Sequence, residues 1–486
     1  MNIPFVRTHI AVAVASVALT LGAGQAFGAA FALQESSASG LGNAYAGGAA
    51  AAEDAATVWS NPAGMSRITT NQLVGGISWI RPSNKFSDGG SLPAVSCPPQ
   101  LCPPAGQFQP LGGNGGDAGG NNFVPYGYLV IPINKQVSFG LGITVPFGLV
   151  TEYDDGWIGR YQALKSDIKT YNVNPAISWK VTDNIAIAAG VDYQQIKATL
   201  TANVNYSGAL AQAAGAAVAA GQISAATAGA LLSQTKGLDS ASTVTGDDYS
   251  WGWNVGILAD LDKNNRFGVA YRSDIKYDVS GNVSFSNPSL PTLVPPQLIP
   301  VGALLSGAVN SQALFNSGVT SSIKLPAIAN FSWFGHVSDR WDIMADVQWT
   351  HWSTIKDLTF VRTTGAVLQS TPENFKDSWR YSLGANYQYD NQWKFRMGVA
   401  YDQTPVQDVD RTARLPDNDR TWLSGGVQYA LSPAVKLDFS AAYIWVKNAS
   451  IAQVAKTPTS IAQYGYLSGD YNSNVVIVSS QVTWNF

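Results

Sequence analysis

Apolar and polar side chains alternate with a period of two along much of the chain. Near the C-terminus Val435, Leu437, Phe439, Ala441, Tyr443 and Trp445 share one parity, and Lys436, Asp438, Ser440 and Ala442 the other. The pattern recurs with Trp393, Phe395, Met397, Val399 and Tyr401 set against Lys394, Arg396 and Asp402, and again from Trp341 to Trp349. Successive side chains of a strand point to opposite faces, so each stretch predicts a strand with one face for lipid and one for water. Aromatic residues stand at the ends of the apolar faces, the level where amphipathic rings meet headgroups.

Read this way the chain holds fourteen strands, beginning near Asn71, Phe123, Gln136, Ile168, Asn184, Tyr249, Arg266, Ser322, Trp341, Phe375, Trp393, Thr421, Val435 and Tyr471. Six short polar turns alternate with seven longer connections. A barrel with both chain ends in the periplasm needs one fewer turn on that side than loops outside, and fourteen strands meet that condition. The final strand ends in Val482, Trp484 and Phe486, a pattern suited to the barrel assembly machinery.

Two connections are unusually apolar. One, about 205–245, carries an Ala-rich tract from Ala209 to Ala230 that predicts one or two short helices broken at Gly215 and Gly221. Gln212, Gln222 and the flanking strands argue against a transmembrane helix there. The other, about 286–321, sets Leu298, Ile299 and Leu304 among prolines. Apolar loops facing water either pack on each other or receive an apolar ligand.

Composition agrees with a membrane barrel. Charged residues make up only 13%, about half the globular norm. The 29 basic and 32 acidic residues give no reason to expect nucleic acid. Residues 1–28 read as a secretory signal, with Arg7, an apolar core from Ile10 to Leu21, and small residues before a cleavage placed after Gly28. The core is too short to span a membrane comfortably. In an exported chain Cys97 and Cys102 predict a local disulfide rather than a metal site, since other ligands are missing nearby. Residues 29–68 are too rich in Gly and Ala, and too poorly alternating, for a lipid-facing strand. They suit a compact hatch inside the barrel, the alternative being a disordered periplasmic tail.

The run Phe31-Ala-Leu-Gln-Glu-Ser-Ser-Ala-Ser-Gly-Leu-Gly-Asn-Ala-Tyr-Ala-Gly47, then Glu53-Asp54-Ala55 and Asn61-Pro62-Ala63, closely resembles the FadL-like long-chain fatty acid transporters, whose relatives include channels for toluene and similar hydrocarbons. Leu325-Pro326-Ala327, Arg414-Leu-Pro-Asp-Asn-Asp-Arg420 and Trp422-Leu423-Ser424 extend the resemblance over nearly the whole mature chain. It implies a barrel plugged by an N-terminal hatch. Ligand docks between extracellular loops, moves to an interior pocket and leaves sideways through a kinked strand.

The expectation is therefore an all-β membrane protein of the outer membrane: a 14-stranded antiparallel β-barrel over 69–486 with a hatch over 29–68. It would act as a monomer in contact with lipid and lipopolysaccharide, without cofactor or metal, carrying fatty acids or, alternatively, aromatic hydrocarbons. A hydrophilic porin would want a constriction of opposed charges, and a surface adhesin would bind without uptake. An enzyme would need a placed base, yet the mature chain has only His336 in a turn and His351 at lipid-facing parity.

For ligand contact the candidates are Phe31, Leu33, Trp157, Leu298, Ile299 and Leu304, with Arg160 first and Lys324 second for a carboxylate head. Asn61, Pro62 and Ala63 are the expected gating bend, because proline fixes a change of direction. Gly140, Gly142 and Pro146 in the third strand mark the expected lateral exit, because a proline within a sheet implies an edge or bulge.

Overall fold

The computed structural model describes residues 29–453 and 462–486, and the leader expected over 1–28 lies outside them. Fourteen antiparallel strands form one closed barrel. They are β1 (Gln72–Asp88), β2 (Asn122–Pro132), β3 (Val137–Thr144, resuming as Gly148–Glu152), β4 (Lys165–Lys180), β5 (Ile185–Asn205), β6 (Asp239–Asp260) and β7 (Asn265–Arg272, resuming as Ile275–Ser286). Then follow β8 (Ser317–Leu325, resuming as Ile328–Ser338), β9 (Trp341–Thr350), β10 (Ser378–Gln388), β11 (Trp393–Asp402), β12 (Arg420–Ser432), β13 (Val435–Val446) and β14 (Ser468–Asn485). β1 pairs with β14 from Gln72 opposite Asn485 to Asp88 opposite Gly469, which closes the sheet on itself.

The alternation works as expected on the outer face. On β11, Phe395, Met397, Val399 and Tyr401 are exposed to the lipid side, whereas Arg396, Ala400 and Asp402 are buried inside. Aromatic rings pair across neighbouring strands at the short-turn rim, Trp341 on Tyr387 at 4.7 Å and Trp393 on Tyr429 at 4.6 Å. Both pairs sit directly opposite in register, the arrangement in which side chains of an antiparallel sheet meet.

The ladder runs further than the lipid-facing pattern. β6 starts at Asp239, ten residues before the apolar stretch at Tyr249, and pairs with β5 up to Asn205. Ser240, Ser242, Thr243 and Thr245 keep the hydrogen bonds while giving lipid nothing to touch, so this end of the hairpin stands in water. The first apolar connection is therefore 206–238 rather than 205–245, and the second is 287–316 rather than 286–321.

Two helices fill the first of these loops, Tyr206–Ala219 and Ala225–Gln234. Asn205 caps one by accepting from the Gly208 amide at 2.8 Å, and Ser224 caps the other through Thr227 at 3.1 Å. The chain breaks only at Gly221, whose φ of 69° is the left-handed value that ends a helix; Gly215 stays inside the first helix. With a third helix, Ile299–Gln312, they bury Leu210, Leu231, Leu232, Leu290 and Leu305 against one another. Cys97 and Cys102 are bonded to each other beside this cluster.

Residues 29–67 lie against the inward faces of the strands. Asn43 donates to Asn386 and to the Ala385 carbonyl, both at 3.0 Å, and the Ala49 amide donates to Ser332 at 2.9 Å. A β-carbon on Gly398 would fall 2.1 Å from the Asn43 carbonyl carbon, and one on Gly268 would fall 1.9 Å from the Ala49 oxygen. Glycine on the wall and small residues on the segment let two backbones touch without a clash.

Candidate ligand-binding site

The site begins with a fault in the wall. β2 and β3 pair from Pro132–Ser138 up to Gly127–Ile143, and there the ladder stops. Val145, Pro146 and Phe147 interrupt β3, and its second half pairs with β4 alone. The next link across the gap is the Glu152 amide donating to the Ala118 carbonyl at 3.0 Å. Pro146 has no amide hydrogen and bars a regular ladder here. Gly140 and Gly142, by contrast, lie in the regularly paired half. Their small size serves the interior: a β-carbon on Gly140 would meet Met65 Sδ at 2.2 Å, and one on Gly142 would sit 3.3 Å from Val58 Cγ1.

The tip of the N-terminal segment occupies the fault from inside. The Leu33 amide donates to the Pro146 carbonyl at 2.8 Å, and the Gly148 amide donates to the Phe31 carbonyl at 2.9 Å. Two backbone groups that the break in β3 would orphan are thus satisfied. The Phe31 ring packs on Trp352 at 4.8 Å and on Phe147 at 6.1 Å. Just behind, Glu35 is buried with neither carboxyl oxygen hydrogen-bonded among the described residues. Burial raises its pKa to about 7, although Arg420 and Arg380 pull it down.

Beside Phe31 opens a small pocket, walled by Ile168, Leu200, Ile323, Ile355 and Phe375 and almost entirely apolar. Its polar members are Ser166, Glu373 and Arg414. The lining matches a small-molecule site, in which a few polar groups orient an apolar ligand.

The bend at Asn61-Pro62-Ala63 is fixed rather than loose. Asn61 donates to the Ala49 carbonyl at 2.7 Å and to the Ile257 carbonyl at 3.0 Å, while its side-chain oxygen accepts from Ala63 at 3.1 Å. Ala63 is fully buried against Ala186, Ala188 and Leu258 of the wall. Nearby, Arg67 pairs with Asp260 at 2.9 Å, and Arg272 pairs with Asp192 while its guanidinium lies over Trp59.

Both cationic candidates for a carboxylate head fall outside the pocket. Arg160 has every N–H engaged: Asp239, the Leu111, Trp157 and Pro110 carbonyls, and the Tyr161 hydroxyl. It staples an extracellular loop together. Trp157 stacks on Tyr153 at 3.9 Å in the same loop cluster and also stays out of the pocket. Lys324 pairs with Asp274 at 2.6 Å on the outward parity of β8, and its neighbour Ile323 is the one that lines the pocket. Leu33 lines a separate interior cavity with Trp59 and Arg272. Leu298 and Ile299 pack at the margin of the loop cluster, and Leu304 remains exposed.

The pocket residues that the sequence reading missed are scattered over four barrel strands and the two connections 351–377 and 403–419. One signal did exist: Ile168 is apolar at the inward parity among Ser166, Thr170 and Asn172, and Leu200 and Ile323 belong to unusually apolar inward runs with Ile196, Val319 and Leu325. Arg414 opens the Arg414-Leu-Pro motif quoted for the resemblance, but nothing local says where its side chain goes.

The sequence pattern of the family described as outer membrane protein transport protein (OMPP1/FadL/TodX) matches residues 19–486. The long-chain fatty acid transport protein of Salmonella typhi is 32% identical over 440 residues, 90% of this chain and 92% of its own. A Pseudomonas aeruginosa FadL homologue superposes with a TM-score of 0.78 at 25% identity, covering 94% of this chain and 100% of that one. The Pseudomonas putida toluene transporter TodX superposes at 0.60 with 16% identity over 95% and 99%, a likeness of fold.

Proposed function

The chain belongs to the OMPP1/FadL/TodX family of outer membrane transport proteins, and on that premise we propose that it carries long-chain fatty acids across the outer membrane by facilitated diffusion. The observation that carries this reading is the fault in β3 stopped by the tip of the N-terminal segment, with an apolar pocket directly behind.

Residues 29–68 act as a hatch. Ligand collects on the exposed part of the loop cluster at Leu298, Ile299 and Leu304 and passes to the pocket. It then displaces the Phe31–Leu33 tip and leaves between β2 and β3 into the membrane. The driving force is burial of the alkyl chain, about 0.8 kcal/mol per methylene kept out of water. No step of the route exposes that chain to water, and the lipopolysaccharide leaflet is bypassed. The barrel works as a monomer, inserted by the barrel assembly machinery. Aromatic hydrocarbons by the same route are the second reading, favoured by the fold shared with the toluene transporter.

Growth of a deletion strain on oleate and on toluene as sole carbon source, each against its complemented parent, tests the assignment. Loss of growth on oleate that this chain restores is expected. Unchanged growth on both substrates contradicts transport of either class.

A further inference from the structure

We propose that a second apolar cavity, roofed by the hairpin of Asp357–Arg362 and Val367–Pro372, is the passage by which an alkyl chain crosses from the loop cluster to the pocket beside Phe31, and that the hairpin is its lid, closed by Phe360. This rests on the transport reading and gives it an entry step.

The case starts from inward positions of unexpected polarity. Toward the periplasm the inward faces are polar, with Asn254 on β6, Ser382 and Asn386 on β10, and Gln481 and Thr483 on β14. Near the outer rim the inward positions of adjoining strands turn apolar: Leu200 on β5, Val244 on β6, Val279 on β7 and Val319 on β8. A water-filled lumen gives no reason for such a patch, whereas an apolar ligand does. These residues line a cavity smaller than the pocket beside Phe31 and, like it, mostly apolar. Phe360 lies across it.

The cavity joins two clusters. Leu200 borders both it and the pocket. On β7, Val279 belongs to the apolar cluster around Phe31, while Phe285, further along the same inward row, packs against the loop cluster. The hairpin repeats the arrangement, with Leu358 at the pocket and Phe360 at the second cavity. A chain moving from one cluster to the other meets apolar side chains at each step.

The hairpin is attached at its two ends. Its strands pair with each other from Asp357 opposite Pro372 to Val361 opposite Val367. Among the described residues the barrel ladder meets it at the far end, where Arg362 and Val361 lie opposite Val319 and Thr320. At its base the Glu373 and Asn374 amides both donate to the Lys356 carbonyl at 2.9 Å. Arg362 latches the far end, donating to the Phe315 carbonyl at 2.8 Å, Ser317 Oγ at 2.7 Å and the Ala313 carbonyl at 3.1 Å, with its guanidinium over the Phe315 ring. Those partners directly follow the loop helix Ile299–Gln312, so the latch ties the lid to the loop cluster. All three acceptors are neutral, and water replaces such bonds when the tip lifts. Lids of this kind set the rate at which a ligand enters.

Uptake of radiolabelled oleate by cells carrying the full chain tests this. Thr320→Cys with Val361→Cys joins antiparallel partners, a spacing that suits a disulfide, at positions of the opposite parity to Val319 and Arg362. Oxidation should stop uptake and reduction should restore it. Adding Phe360→Ala to the locked pair should return part of the uptake under oxidising conditions, because the passage then stays open beneath a fixed lid. Arg362→Gln, purified in neutral detergent, should bind and release the fluorescent fatty acid parinarate faster than the native protein, with the equilibrium affinity unchanged. Full oleate uptake with the hairpin locked, or native rates in Arg362→Gln, overturns the proposal while leaving transport standing. Absence of oleate uptake by the native chain overturns the transport reading itself.

Discussion

From Asn43 to Arg67 the N-terminal segment is tied to the wall by side-chain hydrogen bonds and ion pairs, whereas from Ala29 to Leu33 it is held by the packing of Phe31 and by backbone bonds at a break in a strand. In the first stretch Glu53 meets Arg396 at 2.5 Å, and Arg396 also meets Asp438 at 3.0 Å. Burial alone would raise the Glu53 pKa, but Arg396 and Lys394 hold it well below the usual carboxylate range. In the second stretch the Ala30 amide reaches Asp417 at 2.9 Å, and the bonds at Pro146 and Gly148 do the rest. Each of those is worth on the order of 1 kcal/mol net, because water or ligand replaces it when the tip leaves. The difference divides the segment into an anchored stretch and a more weakly held tip, and on the proposed route it puts the gate at the tip rather than at the Asn61-Pro62-Ala63 bend.

The comparison breaks most severely if the anchor is cut. Arg396→Met leaves Asp438 buried without its cation and Glu53 with Lys394 alone, and such a loss costs about 3–5 kcal/mol. A matching fall in the midpoint of denaturant unfolding is expected, with the hatch opened to protease. An unchanged midpoint would mean that these ion pairs anchor nothing. Next in size is Gly398→Val, which drives a side chain into Asn43; overpacking of this kind costs about 1–3 kcal/mol, read in the same unfolding assay. The tip should answer differently: Phe31→Ala should alter uptake and lower the unfolding midpoint less than Arg396→Met does, because the tip can leave its site on Trp352 and Phe147 without unfolding the barrel.

A pH titration sharpens the contrast further. Glu35, behind the tip, has a folded pKa raised to about 7 from an ordinary 4.5. A raised acid binds more protons folded than unfolded, so its contribution is greatest below the ordinary value and declines as pH rises through 7. Amide exchange at Phe31 and Leu33 should therefore accelerate from pH 6 to pH 8, and Glu35→Gln should flatten that rise. An identical rise in the variant removes Glu35 from the account. The smallest effect belongs to the loops: Leu304→Ser should change stability by less than about 0.5 kcal/mol yet weaken capture at low ligand concentration.

Much of this was legible from period-two alternation, because lipid on one side and a polar lumen on the other write the strand into the sequence. The strands that rise above the membrane lost that signal, which is why Asp239 to Thr245 read as loop. Pro146 was legible as a break because its chemistry is local. Gly140 and Gly142 were not, since a missing side chain marks a close approach as readily as a weak ladder, and only Val58 and Met65 across the lumen decide between the two. That the two cations lie outside the pocket was hidden for a similar reason. Whether Arg160 is free for a ligand depends on Asp239 and on carbonyls up to 50 residues away in the chain, and the face that Lys324 occupies is set by one step of parity against Ile323.

The division into anchored stretch and tip is tested most directly by locking each part to the wall and measuring fatty acid uptake in cells. Ala32 and Phe147 are antiparallel bridge partners, a spacing of about 4.5–5.5 Å that suits a disulfide, so Ala32→Cys with Phe147→Cys closes the tip. Ala63→Cys with Ala188→Cys closes the bend, where those residues already pack together. Oxidation should stop uptake in the first protein, with recovery on reduction, and leave the second at native rates. Full uptake with the tip cross-linked, or arrest with only the bend cross-linked, would contradict the account.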